Sequence, residues 1–114
     1  MARDPELAGG IGWGDIRFVE FGRPDKKRPA LVLTRSTAVS FLSTLTVAPI
    51  TRTIRGAPTE VRLGESEGLK TESVAKLDSL QTVPKERVGR FIGSISPDKK
   101  SLLRQALLFA LELE

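Results

Sequence analysis

The stretch Lys26-Lys27-Arg28-Pro29-Ala30-Leu31-Val32-Leu33-Thr34 carries a basic loop straight into an apolar, β-rich run. Pro29 fixes its own backbone and bars a helix from running through it, and the residues after it have the composition of a strand. A nearly continuous apolar run of this length predicts a strand buried on both faces, over Ala30 to Thr34. Arg28 therefore stands where a loop meets a rigid strand. Binding groups are disproportionately found on loops held by a rigid scaffold, so Arg28 is the first candidate for a functional residue; the alternative is a solvated basic turn.

Working outward, alternation predicts a strand over Trp13 to Phe21, with Ile16 and Phe18 on one face and Arg17 and Glu20 interrupting the apolar run. Gly22 to Lys27 is the polar loop between these two strands. Arg35 to Phe41 reads as a surface turn or short helix. A third strand lies within Leu42 to Ile50, ending around Pro49 and Thr51. The loop Thr51-Arg52-Thr53-Ile54-Arg55-Gly56-Ala57-Pro58 is again basic and leads into a fourth strand over Thr59 to Leu63. After a charged turn at Gly64 to Thr71 come short extended pieces at Glu72 to Asp78 and Leu80 to Val83. A last strand over Val88 to Ile95 is flanked by Gly89 and Gly93.

Ser96 and Pro97 make a helix start, with Ser at the N-cap and Pro at the first helical position, and the helix is expected to run to about Leu113. Its apolar residues Leu102, Leu103, Ala106, Leu107, Phe109, Ala110, Leu111 and Leu113 span roughly 200° of arc, about twice the stripe a surface helix needs. Leu108 falls on the opposite side, among Ser101, Arg104, Gln105 and Glu112. One packed face does not account for such an arc, so the helix should meet the sheet and something else, such as a second copy of the chain. Many short strands with one terminal helix predict a mainly β, α+β fold built on a small, strongly bent sheet or barrel.

The chain has 114 residues, enough for a single domain with one modest core; residues 13–114 are assigned to it and 1–12, rich in Gly and charge, to a loose tail. It has no cysteine, which excludes disulfides and thiolate metal sites and suits the cytoplasm. It has no histidine, which removes the commonest general base and metal ligand. No apolar run suffices to span a bilayer, and no Walker loop, dinucleotide fingerprint or zinc spacing is present, so no cofactor is expected. The net charge is +4, but between positions 17 and 62 nine cations face three acids. Those cations are mostly Arg, whose fork suits phosphate. Arg23, Lys26 and Lys27 in the first loop and Arg52 and Arg55 in the second make these loops candidate contacts for a nucleic acid, with Asp25 among them. A basic surface kept for solubility is the competing explanation.

Several segments together resemble the MazF/PemK family of toxins, the RNA-cleaving halves of bacterial toxin–antitoxin pairs. They are Gly14-Asp15-Ile16, Lys27-Arg28-Pro29-Ala30-Leu31-Val32-Leu33, Val47-Ala48-Pro49-Ile50-Thr51, Glu72-Ser73-Val74 with Asp78, Thr82-Val83, and Ile92-Gly93 with the closing helix. They stand in the family's order over about Trp13 to Leu113. The resemblance implies an SH3-like barrel of the CcdB/PemK type with a C-terminal helix. It also implies a homodimer with RNA grooves along the subunit boundary, metal-free cutting of single-stranded RNA, and an antitoxin whose acidic C-terminal segment fills the groove. By the same resemblance Arg28 and Thr51 are catalytic, and Lys76 and Asp78 fall where some members carry an Arg and an Asp used in cleavage. The first loop is shorter here than in many members, and Asp25 is its only carboxylate.

Metal-free cleavage requires the 2′-hydroxyl to lose a proton, the phosphoryl oxygens to be stabilised, and the 5′-oxygen to leave with a proton. Arg28 and Thr51 suit the second task. Asp78, Asp25 and Glu20 are candidates for the first, Asp78 preferred by resemblance, and Arg28 or Lys76 for the third. Trp13 and Phe21 are the available base-stacking aromatics, although Arg and Thr of the two loops are the better candidates for reading sequence. Two other functions remain open on sequence: a CcdB-like toxin that binds gyrase without cutting RNA, and a non-catalytic RNA-binding barrel.

Overall fold

Two prolines shape the centre of the sheet. In the computed structural model, which describes residues 10–22 and 27–114, strand β1 (Asp15–Glu20) pairs antiparallel with β2 (Lys27–Val32). β2 in turn pairs with β3 (Thr44–Thr51) through Ala30–Pro49, Leu31–Ala48 and Val32–Val47. Neither Pro29 nor Pro49 can donate a ladder hydrogen bond, and the β2–β3 ladder stops at the Ala30–Pro49 pair. Continuing that register by two residues sets Arg28 across from Thr51 on one face of the sheet.

The other strands complete one curled antiparallel sheet, a half-barrel. β4 (Glu60–Leu63) pairs with β5 (Ser73–Lys76), β5 with the far end of β3, β6 (Gln81–Pro84) with its near end, and β7 (Val88–Ser94) with β1. The order is β4-β5-β3-β2-β1-β7, with β6 lying off this path against β3. Helix α1 (Lys100–Ala110) closes the chain. The fold is thus mainly β with a C-terminal helix, as the strand pattern predicts.

Each face of the sheet has its own core. Ile16, Leu31, Ala48, Ile50 and Ala75 pack with Leu103 and Ala106 of α1. Val19, Ala30, Val32, Leu45 and Val47 pack on the opposite face with Ile11, Val39 and Val83. Ala30, Leu31 and Val32 are fully buried, as a two-faced central strand requires.

The sequence reading needs correction at several points. β2 begins at Lys27 rather than Ala30, because Lys27 and Arg28 pair with Glu20 and Val19. Arg28 is therefore a strand residue and not the last residue of a loop. Arg17, counted with the basic surface, is buried: its Nε donates to Asp15 Oδ2 at 3.0 Å and its Nη1 to the Gly89 carbonyl at 3.0 Å. Asp15 Oδ2 also accepts from the Gly12 amide at 3.0 Å. Asp78 lies in a 3-10 turn, Leu77–Ser79, and not on a strand.

A 3-10 turn at Pro97–Lys99 precedes α1, and the Ser96 side chain makes no cap; its hydroxyl donates to Glu67 instead. The helix ends three residues before Leu113 because Glu112 turns left-handed, at φ 55°, and the Leu113 amide bonds back to the Leu108 carbonyl.

Candidate nucleic-acid interface and cleavage site

Beyond the Ala30–Pro49 pair, where the ladder opens, the surface forms a concavity of about 680 Å³. β2 supplies Arg28 and Pro29, β3 and its following loop supply Ile50, Thr51, Arg52 and Thr53, and β1 supplies Phe18. The far wall is Gly68 to Thr71 and Ser73, and the remainder is Arg90, Phe91 and Ile92 of β7. Among the described residues that line it, four are cations, Arg28, Arg52, Lys70 and Arg90, and none is acidic. An anion entering here meets several cationic side chains.

Thr51 closes the β3 strand and its Oγ1 accepts from the Thr53 amide at 3.1 Å. With one lone pair engaged, the hydroxyl proton is left to donate to a ligand oxygen. The turn-capping role expected of a strand-end Thr and a role towards ligand are thus compatible. The loop beyond is held by Glu60, whose carboxylate accepts from the amides of Arg55, Gly56 and Ala57 at 2.9 to 3.4 Å. Arg55 itself is exposed and lies off the concavity.

The far wall rests on a buried carboxylate. Glu67 accepts from the Gly64 amide at 2.7 Å, the Ser96 hydroxyl at 2.5 Å and the Lys99 ammonium at 3.1 Å. Burial alone would push its carboxyl up, but these three donors and the Lys99 charge together outweigh burial and hold it below the usual carboxylate value. The turn lies hard against β7: a Cβ on Gly93 would stand 2.1 Å from the Glu67 carbonyl oxygen, and Gly68 takes φ +88°. The sequence reading assigned Gly64 to Thr71 to a charged turn and did not single out Glu67.

The other sequence candidates distribute as follows. Lys76 sits on β5 two residues after Val74, the partner of Thr51, and so shares Thr51's face of the sheet. It does not line the concavity, and neither does Asp78, which is exposed. No ion pair joins Lys76 to Asp78. Lys27 and Glu20, cross-strand partners, line a second cavity of about 410 Å³ with Phe18, Glu86, Arg87, Gly89 and Arg90. Arg23, Asp25 and Lys26 lie outside the described residues. Trp13 stands apart, beside α1, with the Lys100 ammonium 5.4 Å from its ring centroid.

Sequence reasoning passed over Phe18, Lys70, Thr71 and Arg90. The alternation that set Phe18 on the face of Ile16 was right about the face, but Ile16 lies under the helix while Phe18 lies beyond it and is only partly buried.

The chain matches the family model described as PemK-like, MazF-like toxin of type II toxin–antitoxin system over residues 13–111. It is 38% identical over 99 residues to Endoribonuclease MazF3 of Mycobacterium tuberculosis, covering 87% of this chain and 96% of that protein. Among solved structures, the Mycobacterium tuberculosis toxin MazF-mt6 superposes with a TM-score of 0.83 at 38% identity, covering 88% of this chain and 98% of that one. A mycobacterial endoribonuclease solved in complex with its cognate antitoxin gives a TM-score of 0.81 at 25% identity, over 91% of this chain and 97% of that one. With a matched order of strands, a cationic concavity at the β2–β3 opening and relatives of this closeness, the chain belongs to the PemK-like, MazF-like toxins of type II toxin–antitoxin systems.

Proposed function

We propose that the chain is an endoribonuclease toxin that cuts single-stranded RNA at short sequence motifs, acts as a homodimer in the cytoplasm, and is silenced by an antitoxin with an acidic C-terminal segment. The observation that carries this reading is the meeting of Arg28 and Thr51 in one concavity that also holds Arg52, Lys70 and Arg90. Among the described residues, no helix is long and apolar enough to cross a membrane. The relatives named above as endoribonucleases, and the one solved with its antitoxin, support the activity and the partner.

In this mechanism the 2′-oxygen attacks phosphorus, forming the P–O2′ bond of a 2′,3′-cyclic phosphate, while the P–O5′ bond breaks and the 5′-oxygen takes up a proton. Negative charge grows on the non-bridging oxygens as this happens. Arg28 answers it with a charged, two-pronged donor and Thr51 with a neutral hydroxyl. Proton removal from the 2′-hydroxyl is assigned to Asp78 by the resemblance alone, since Asp78 is exposed on a turn outside the concavity, and protonation of the leaving oxygen to Arg28 within it or to Lys76 outside it. No step calls on a metal, and without His or Cys the chain lacks the usual transition-metal ligands.

The reading is tested by incubating the protein with a broad RNA pool in excess EDTA. Fragments with a 5′-hydroxyl and a cyclic or 3′-phosphate are expected, and an RNA pool left intact overturns the reading. Arg28→Ala should lower cleavage by roughly 10²- to 10³-fold, the scale of one preorganised transition-state donor, with an unchanged circular dichroism spectrum. Undiminished cutting by that variant would remove Arg28 from the mechanism.

A further inference from the structure

The guanidinium of Arg90 lies over the ring of Phe18, Cζ 4.8 Å from the centroid. Both residues line the 680 Å³ concavity that holds Arg28 and Thr51, and both line the adjoining 410 Å³ cavity that holds Lys27 and Arg87. The stacked pair is therefore the ridge between two hollows, the second of which sets Glu20 and Glu86 beside Lys27, Arg87 and Arg90. Phe18 is only partly buried and Arg90 is exposed, although an aromatic on a central strand would ordinarily be buried. Gly89, next to Arg90, leaves the floor beside the ridge bare: even a Cβ there would come within 3.3 Å of the Phe18 carbonyl oxygen.

We propose that Phe18 and Arg90 form a stacking platform for one RNA base next to the cut, with the strand crossing from the Arg28–Thr51 concavity into the Lys27–Arg87 cavity. Single-stranded RNA is held largely by bases laid on aromatic rings or guanidinium planes while cations follow the backbone. One face of the Phe18 ring is already covered by Arg90, so the base extends the stack on the guanidinium. Arg90 is thus the contact residue and Phe18 the support that keeps the guanidinium flat. Lys27 and Arg87 lie on the far side of the ridge, where they can take the next phosphate. Stacking tolerates any base, so the platform contributes affinity and position, and leaves the choice of cut site to other groups.

The inference rests on the nuclease reading for the direction of the strand, and its test is built to fail separately. The probe is a random-sequence 2′-O-methyl RNA oligonucleotide, which offers no 2′-hydroxyl for attack, with a single 2-aminopurine scanned along its length. Binding is followed by the quenching that stacking produces. The wild-type protein should quench the probe, and Arg90→Gln should abolish the quenching and weaken binding about tenfold or more, the scale of one lost stack. Arg90→Lys separates stacking from simple charge. It should keep the wild-type salt dependence, which counts phosphate contacts, without restoring the quench. Phe18→Leu should behave as Arg90→Gln; because that change touches a half-buried ring, the exposed Arg90 variants decide the matter if Phe18→Leu folds poorly.

A wild-type protein that fails to quench the probe, variants that quench as wild type does, or full recovery by Arg90→Lys would each overturn the platform. Quenching by a protein that cuts no RNA would overturn the nuclease reading and leave the platform standing. RNA cutting with unaltered binding by Arg90→Gln would do the reverse.

Discussion

At the residue scale, the contrast between Arg17 and Arg28 shows what a sequence can hide. Both lie in the same basic stretch and both suit phosphate. Arg17 is 3% exposed and spends its guanidinium on Asp15 and on the Gly89 carbonyl, beside the ring of Phe91. It joins β1 to β7 from within and adds nothing to the outer field. A buried pair of this kind is costly to form and costlier to break halfway. Arg17→Met should therefore destabilise by about 3–5 kcal/mol, the usual penalty for stranding one buried charge, seen as a lower urea midpoint with an unchanged slope. Replacing both partners, Asp15→Leu with Arg17→Met, should recover part of the loss. A double variant less stable than Arg17→Met alone would refute this account. Composition could not separate the two arginines, because alternation reports which face a residue takes and not whether a carboxylate two residues away waits on that face.

At the element scale, the strands were legible because each apolar run is short and bounded by Gly, Pro or charge. The boundaries shifted where tertiary pairing overrode local signals: Lys27 and Arg28 are polar, yet β1 recruits them into β2. Residues near the β2–β3 opening could be named from the resemblance and from the basic loops. The wall from Gly68 to Thr71 could not, since what holds it is a long-range contact. Glu67 joins a 3-10 turn to the start of the helix through Ser96 and Lys99, residues 29 and 32 positions away.

The buried carboxylate of Glu67 makes the stability of this wall depend on pH. A folded-state carboxyl held below its ordinary value contributes stability above the unfolded-state value and loses it as pH falls through the lower folded-state value. Glu67→Gln keeps the shape and some hydrogen bonds but removes the charge that Lys99 meets. It should cost about 1–3 kcal/mol at pH 7, with the gap to wild type narrowing on acidification below the ordinary carboxylate range. Urea unfolding of both proteins at pH 7 and at about pH 3, below the ordinary carboxylate range, measures this. A gap that does not change with pH would show that the charge is not what matters.

At the scale of the whole molecule, the wide apolar arc of α1 is only partly used by the chain that carries it. Leu103 and Ala106 are buried on the sheet, whereas Leu102 and Phe109, seven residues apart and so nearly superposed along the helix, are each 51% exposed. Leu111 and Leu113 are exposed beside them. Hiding the remaining half of a Leu or Phe side chain is worth about 1–1.5 kcal/mol, and in a twofold dimer each such contact occurs twice. The helix flank at Leu102 and Phe109 is thus a natural contributor to the dimer proposed here. Leu102→Glu with Phe109→Glu should convert the protein to a monomer in sedimentation velocity while leaving its circular dichroism spectrum intact, because neither side chain is needed by the sheet beneath. RNA cutting should fall with the dimer if a groove is built from two subunits, and should survive in the monomer if each concavity works alone. A double variant that sediments as wild type would move the interface elsewhere on the sheet, and Leu102 and Phe109 would then be exposed for some other contact.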